Sequence, residues 1–393
     1  MRSIGVAERR ARLGLRHRLA ISARADDPVD VARSLVAVHS TDPTSVYLGT
    51  LARMQAGGIE TVERALYDDR MLIRLLGMRR TVFVTARETA PVIQAACSAA
   101  VAARERRKLL AMLADAGVAG DADPWLAEVE EAALRALEAR GEATAAELAT
   151  GDERLQIQLV LAKGRPYEGR QNLGSRVLHL LAAQGLVVRG RPRGSWTSHQ
   201  HRWSPLATWC PEAVTEWKPE QAEEELARHW LTAYGPAPAD DLRWWAGWTK
   251  TQTGQVLARI GAADVDLDGA PGLVLAGDVE PPAAVDPWAA LLPGLDSTPM
   301  GWQHRDWFLG HHATRLFDRT GNIGPTVWWQ GRIVGGWAQD STGEIIYRLL
   351  EDVGSEAAQA IEAAAARLAA IVGGARLSVR GRGPTWLEQE LSG

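Results

Sequence analysis

Apolar positions along the chain fall into blocks of helical period, separated by short stretches that alternate as strands do. The clearest block runs from Asp123 to Gly141, where Leu126, Val129, Ala133, Ala136 and Leu137 leave one apolar stripe. Asp123 suits the N-cap, Pro124 the first helical position and Gly141 the stop. Thr144-Ala-Ala-Glu147 then reads as a capping box opening a short second helix. A third helix is predicted from Asn172 to Gly185, with Leu173, Val177, Leu180 and Leu181 inward and Arg176 and His179 outward. Leu186–Arg189 reads as a strand, Gly190–Gly194 as a basic turn and Ser195–His199 as the return strand. Helix, short helix, helix and hairpin is the order of a winged helix-turn-helix, whose third helix enters the major groove while the wing touches backbone. A helical hairpin followed by an unrelated β-turn is the alternative. Between Thr150 and Asn172 a partly alternating stretch predicts an inserted hairpin carrying Lys163, Arg165 and Arg170.

The same order recurs over about 220–276. A helix near Glu223–Tyr234 is followed by one opening at Asp240 and holding Trp244, Trp245 and Trp248. A third opens near Thr251, and an acidic hairpin spans Val265–Leu275. The N-terminal stretch gives a basic helix near Ala7–Ala20, a helix from Asp27-Pro28 through Val38, and a strand-like piece Arg79–Val84. After residue 281 the pattern changes: Thr326–Trp337 and Ile345–Leu350 alternate as strands, Glu356–Ala370 is a long Ala-rich helix, and Ala375–Val379 reads as a last strand. The expected fold is α+β: tandem winged helix-turn-helix units with a small C-terminal β-domain, a partly closed barrel. The expected domains are 1–120, 121–210, 211–280 and 281–393.

Composition narrows the class. With 46% hydrophobic and 23% charged residues over 393 positions, the chain is globular and long enough for several units. No apolar run is long enough to span a membrane, and the basic N-terminus has no apolar signal core. Cys97 and Cys210, far apart and outside any metal-binding spacing, suit a reducing cytoplasm. The net charge of −4 does not favour nucleic acid, but its distribution does: residues 1–24 hold seven Arg against one Glu. Residues 186–203 hold Arg189, Arg191, Arg193 and Arg202 with no acid, while Asp264–Asp268 is acidic. The basic wing is therefore expected on one concave face and the acidic hairpin off it.

No GxSxG, Walker loop, HExxH or GxGxxG after a strand is present. The sharpest candidate is Val38-His-Ser-Thr-Asp-Pro43, where His39, Thr41 and Asp42 are expected on a turn after the preceding helix. Capping by His39 and an Asx-type turn by Asp42 is the plain alternative. Arg79, Arg80 and Thr81 would line the same cleft. Arg193, Ser195 and Trp196 would sit at the wing tip, where phosphate contacts occur. His199 and His201 show no third ligand, so no metal is expected, and His311-His312 reads as a polar surface pair.

The chain resembles the winged-helix DNA glycosylases that excise bulky alkylated bases. The likeness spans nearly the whole sequence. It rests on His39-Ser-Thr-Asp-Pro43, Arg191-Pro-Arg-Gly-Ser-Trp-Thr-Ser198, Arg202-Trp-Ser-Pro205, Gly321-Asn-Ile-Gly-Pro-Thr-Val327, Gly335-Gly-Trp-Ala338 and Tyr347-Arg-Leu-Leu-Glu-Asp352. In that family the turn carries Gln, an apolar residue, then Gln or Asp, and positions the attacking water. This sequence matches in location, with His39, Ser40 and Thr41 at those places and Asp42 next. The resemblance implies hydrolysis of N7-alkylpurine-type bases from duplex DNA by a monomer, with no metal or organic cofactor. Asp42 would face the oxocarbenium-like sugar, while His39 and Thr41 hold the water. The helix end and Asp42 would both favour a protonated His39, which suits orientation better than base catalysis. Arg79, Arg80, Lys163, Arg165, Arg176, Arg189, Arg191, Arg193, Ser195 and Trp196 would hold the DNA. A non-catalytic winged-helix regulator is the competing reading, favoured by the absence of both Gln residues.

Overall fold

The computed structural model describes residues 2–118, 121–162, 164, 168–379 and 382–392. Lys163 and Arg165 therefore lie outside the described residues. The fold is mixed α+β. Asp27 caps the Pro28–Ser34 helix by accepting from the Val29 amide. The helix expected to run through Val38 stops at Ser34, because Val36 adopts φ 63° and turns the chain. The chain then enters a strand, β2 (Val38–His39). It pairs antiparallel with β4 (Val82–Ala86), whose other edge takes β3 (Leu72–Leu76). The strand expected from Arg79 begins only at Val82, since Arg79 and Arg80 stand at φ 53° and 64° in the β3–β4 turn.

The next elements keep the expected order. The Ala122–Arg140 helix buries Leu126, Val129, Ala133 and Leu137, and Gly141 ends it at φ 75°. Asp123 does not cap that helix; it is paired with Arg106 at 2.6 Å. Thr144 and Glu147 form the capping box of the Ala145–Ala149 helix. β5 (Gln158–Leu161) and β6 (Gly169–Asn172) make the inserted hairpin, and the third helix spans Leu173–Ala183. β7 (Val187–Pro192) runs through the expected turn, and its partner β8 (His201–Pro205) starts after His199. The return strand is thus displaced towards the C-terminus, leaving 193–200 as a loop. No residue of Leu173–Ala183 is exposed, since the helix packs against its neighbours 99–115, 122–140 and 145–149. Arg176 and His179, expected outward, are covered.

The second set comprises helices Pro219–Tyr234, Ala239–Ala246 and Lys250–Arg259, then β9 (Ala263–Leu267) and β10 (Ala270–Val274). Its third helix is capped by Thr249, with Gln252 reciprocating, two residues before the expected start. β1 (Arg2–Ser3) adds to β9 in parallel, so the acidic hairpin sits beside the N-terminal helix, where Asp268 accepts from the Val6 amide.

The C-terminal strands β11 (Ala289–Leu292), β12 (Thr326–Trp329), β13 (Arg332–Gln339) and β14 (Ile345–Leu349) form an open antiparallel sheet in that order. The partly closed barrel is not seen: β11 and β14 remain at opposite edges among the described residues. Ala375–Val379 is not a strand. The Gln339 side chain holds it instead, donating to Ala375 O and accepting from the Leu377 amide. The Gly354–Val372 helix covers the sheet. No helix among the described residues is long and apolar enough to cross a membrane.

Candidate active site and nucleic-acid interface

Asp42 and Pro43 turn the chain from β2 into a helix. Asp42 is an N-cap in extended conformation, Pro43 takes the first helical turn, and the helix runs Pro43–Leu51. The turn expected after a helix is therefore a strand–turn–helix, with His39 on the strand and Asp42 at the start of the helix. Asp42 Oδ1 accepts from the Thr44 amide at 2.9 Å and from Thr44 Oγ1 at 2.7 Å. Asp42 is also one of the residues that line a cavity of about 380 Å³, with Ser45, Gly294, Trp337, Arg382 and Glu388 among others, whereas His39 and Thr41 do not line it.

A distant loop clamps this segment. The His39 amide donates to Ser297 Oγ, which in turn donates to Ala37 O, and Ser45 Oγ donates to Gly294 O. Beyond the end of that helix, Arg53 and Asp296 form a fully buried bidentate pair at 2.7 and 2.9 Å. Arg53 also donates to His17 O, Gly49 O and Thr298 Oγ1. Every donor position of that guanidinium group is thus directed to an acceptor, which is what a buried ion pair needs to be tolerated.

His39 and Ser40 feed two different cationic clusters. The His39 ring is buried, edge-on to Phe83 at 5.4 Å, with its Nδ1 3.5 Å from the Thr41 amide. Burial, with Arg79 nearby, pushes its pKa down to about 3. The helix end expected to favour its charged form is absent, so the imidazole is neutral at neutral pH and orients Thr41. Arg79 lies 3.8 Å over the Trp244 ring, which Arg305 also approaches at 5.1 Å. Burial holds both guanidinium groups down at about 10. Two successive arginines in the left-handed region are strained, at about 1 kcal/mol each. In this conformation Arg79 lies over Trp244 and Arg80 pairs with Glu105.

On the other side, Ser40 Oγ accepts from Arg74 Nε at 2.9 Å. Arg74 is the one charge in the apolar run Leu72-Ile-Arg-Leu-Leu76 and is 3% exposed. A lone charge inside a buried strand is the sequence signal that could have found it. Trp244 carries the periodic pattern of a core residue, while Arg305, Asp296 and Ser297 stand in irregular segments with no periodic signal.

The remaining candidates separate. Arg80 and Arg176 pair with buried Glu105, at 2.8 and 3.0 Å. Arg191 pairs with Asp68 at 2.8 Å and Glu63 at 3.4 Å, and covers Tyr67. Arg189 lies 5.1 Å over Trp203. Arg193 and Ser195 are exposed on the 193–200 loop. Trp196 is half-buried, edge-on to Tyr47 at 5.4 Å, and joins the core beneath the Pro43–Leu51 helix. It fastens the loop to the site.

A family model described as DNA glycosylase AlkZ-like matches residues 32–371. Among solved structures, the Streptomyces sahachiroi DNA glycosylase AlkZ is similar, with TM-score 0.74 and 22% identity. The similarity covers 96% of this chain and 99% of that one, and at this identity it concerns the fold. No curated protein matches.

Proposed function

The chain belongs to the AlkZ-like DNA glycosylase family, and from that premise we propose that it hydrolyses the N-glycosidic bond of bulky alkylated purines in duplex DNA. The observation that carries the reading is Asp42, an acidic residue at the strand–turn–helix and in the lining of a cavity of about 380 Å³. That volume lies in the range of small-ligand sites, and it sits beside a strand whose neighbours are cationic.

An N7-alkylated purine already carries positive charge and leaves with the bonding electrons as a neutral base, so no general acid is required. The sugar becomes oxocarbenium-like. Asp42 faces that charge, Thr41 holds the attacking water, and neutral His39 fixes Thr41 through its Nδ1. The helix–helix–helix–hairpin order supports winged-helix units in which the hairpin and the 193–200 loop face the DNA. The enclosed Leu173–Ala183 helix does not.

A second reading has its own observation. Both Thr44 donors occupy Asp42 Oδ1, as a purely capping residue would have it, and this favours a DNA-binding protein without activity. Incubation with duplex carrying N7-alkylguanine separates the two: abasic sites are expected from the enzyme and none from the binder.

A further inference from the structure

Several arginines of the protein are neutralised by carboxylates. Arg53 has Asp296, Arg80 and Arg176 share Glu105, and Arg191 has Asp68 and Glu63. Among the described residues Arg74 and Arg189 lack such a partner, as do Arg79 and Arg305 over Trp244, but Arg74 and Arg189 also act on each other. Arg74 directs Nε to Ser40 Oγ and Nη1 to Tyr67 Oη at 3.1 Å, while Nη2 is buried with no acceptor. Arg189 stacks on Trp203, and among the described residues no carboxylate pairs with either guanidinium. His201 Nδ1 lies 3.2 Å from Arg74 Nη1 and 3.2 Å from Gly190 O. Groups from β3, β7, β8 and the Arg64–Asp68 segment thus converge with donors in surplus, and the carboxylates beside Tyr67, Glu63 and Asp68, are paired with Arg191.

Such an arrangement is unfavourable by itself, because buried cations that repel one another need an anion to offset desolvation. We propose that Arg74 and Arg189, with His201 and Tyr67, form the seat of one backbone phosphate of the DNA substrate. The inference rests on the reading of DNA as the substrate and names which groups hold it. A planar guanidinium that presents an unused edge suits two oxygens of a phosphodiester. Arg189 and His201 are half-buried, and exposed Arg193 and His199 stand on the adjoining loop, so a phosphate would approach the seat from the hairpin side. Electrostatics agree. Burial and then Arg74 lower Arg189 to about 10, and burial, Arg74 and Arg189 lower His201 to about 2. A phosphate here lies one residue from both His39 and Thr41, because Ser40 joins Arg74 to that strand. The seat would fix the sugar-phosphate backbone against the proposed water site.

The test measures affinity for duplex with a non-cleavable abasic-site analogue across a salt series, for wild type, Arg189→Gln, Arg74→Met and Arg191→Gln. Arg189→Gln should bind about 10-fold more weakly, with a salt slope smaller by about one. Arg74→Met should lose at least as much, and Arg191→Gln should change less than about 2-fold because Arg191 is already paired. Arg189→Gln, at the half-buried edge, serves if Arg74→Met fails to fold. Wild-type affinity and slope in Arg189→Gln would overturn the proposal. A parallel melting series in inorganic phosphate distinguishes a free anion. If phosphate stabilises wild type but not Arg189→Gln while both bind duplex equally, the seat takes a free anion and the DNA assignment fails. Absence of base excision by wild type would refute the glycosylase reading, yet leave the affinity loss of Arg189→Gln as evidence for the seat.

Discussion

The His39 amide donates to the hydroxyl of Ser297 at 2.9 Å, across 258 residues of sequence. Ser297 then donates to Ala37 O, so one hydroxyl ties both sides of β2 to the loop before the later C-terminal strands. The candidate catalytic strand is thus held by the far end of the chain, where no helix or strand pattern announces it.

Replacing Ser297 by Ala leaves the buried His39 amide without its acceptor. The cost should be about 1–3 kcal/mol, read as a lower urea midpoint with unchanged slope. Ser297→Thr, which keeps the hydroxyl, should recover part of it.

Asp296→Ala should cost more, about 3–5 kcal/mol, because Arg53 would be left charged and fully buried. The double variant Arg53→Met/Asp296→Leu removes both charges and should be more stable than Asp296→Ala alone. Equal instability of the two would show that the pair acts through packing and not charge.

Acid should destabilise the fold from the histidine side. His39 is lowered to about 3 and His179 to about 4, both first by burial, and His17 lies well below its ordinary value for the same reason. Between the ordinary value of 6.5 and these lowered ones the unfolded chain binds protons that the folded chain refuses. Stability therefore falls as pH drops through that window, by about 1.4 kcal/mol per pH unit for each such histidine. Urea midpoints from about pH 8 to about pH 5 should be flat above 6.5 and fall below it. His179→Gln should reduce the slope; an unchanged slope would mean His179 is protonated in the folded state.

Local signals carried much of the fold. The Thr144–Glu147 capping box, the Gly141 stop, the inward Leu173, Val177, Leu180 and Leu181, and the β12–β13 hairpin stand as the pattern predicts. The failures have physical causes. The helix opened by Asp27-Pro28 is expected to continue through Val38, but a left-handed Val36 breaks it, a conformation no residue type there advertises. The alternation at Ala375–Val379 is that of a strand, yet a Gln339 side chain takes the backbone bonds a partner strand would supply. At the site, the segment His39–Asp42 was legible as polar residues between apolar ones. Its supports were not: Arg80 and Arg176 share the single carboxylate of Glu105 with Lys108, and Arg74 meets Ser40 only once β3 lies beside it.

Whether Asp42 does chemistry as well as capping decides the proposed function, and Asp42→Asn separates the two roles. Asn caps a helix about as well as Asp, so the melting temperature should stay nearly unchanged. The charge proposed to face the sugar is removed. Abasic sites should be counted in duplex carrying a single N7-alkylguanine, for wild type and Asp42→Asn at equal folded concentration. Wild type is expected to produce abasic sites, and Asp42→Asn to do so at least about 100-fold more slowly, at similar DNA affinity. Equal rates for the two proteins, or no abasic sites from wild type, would contradict it.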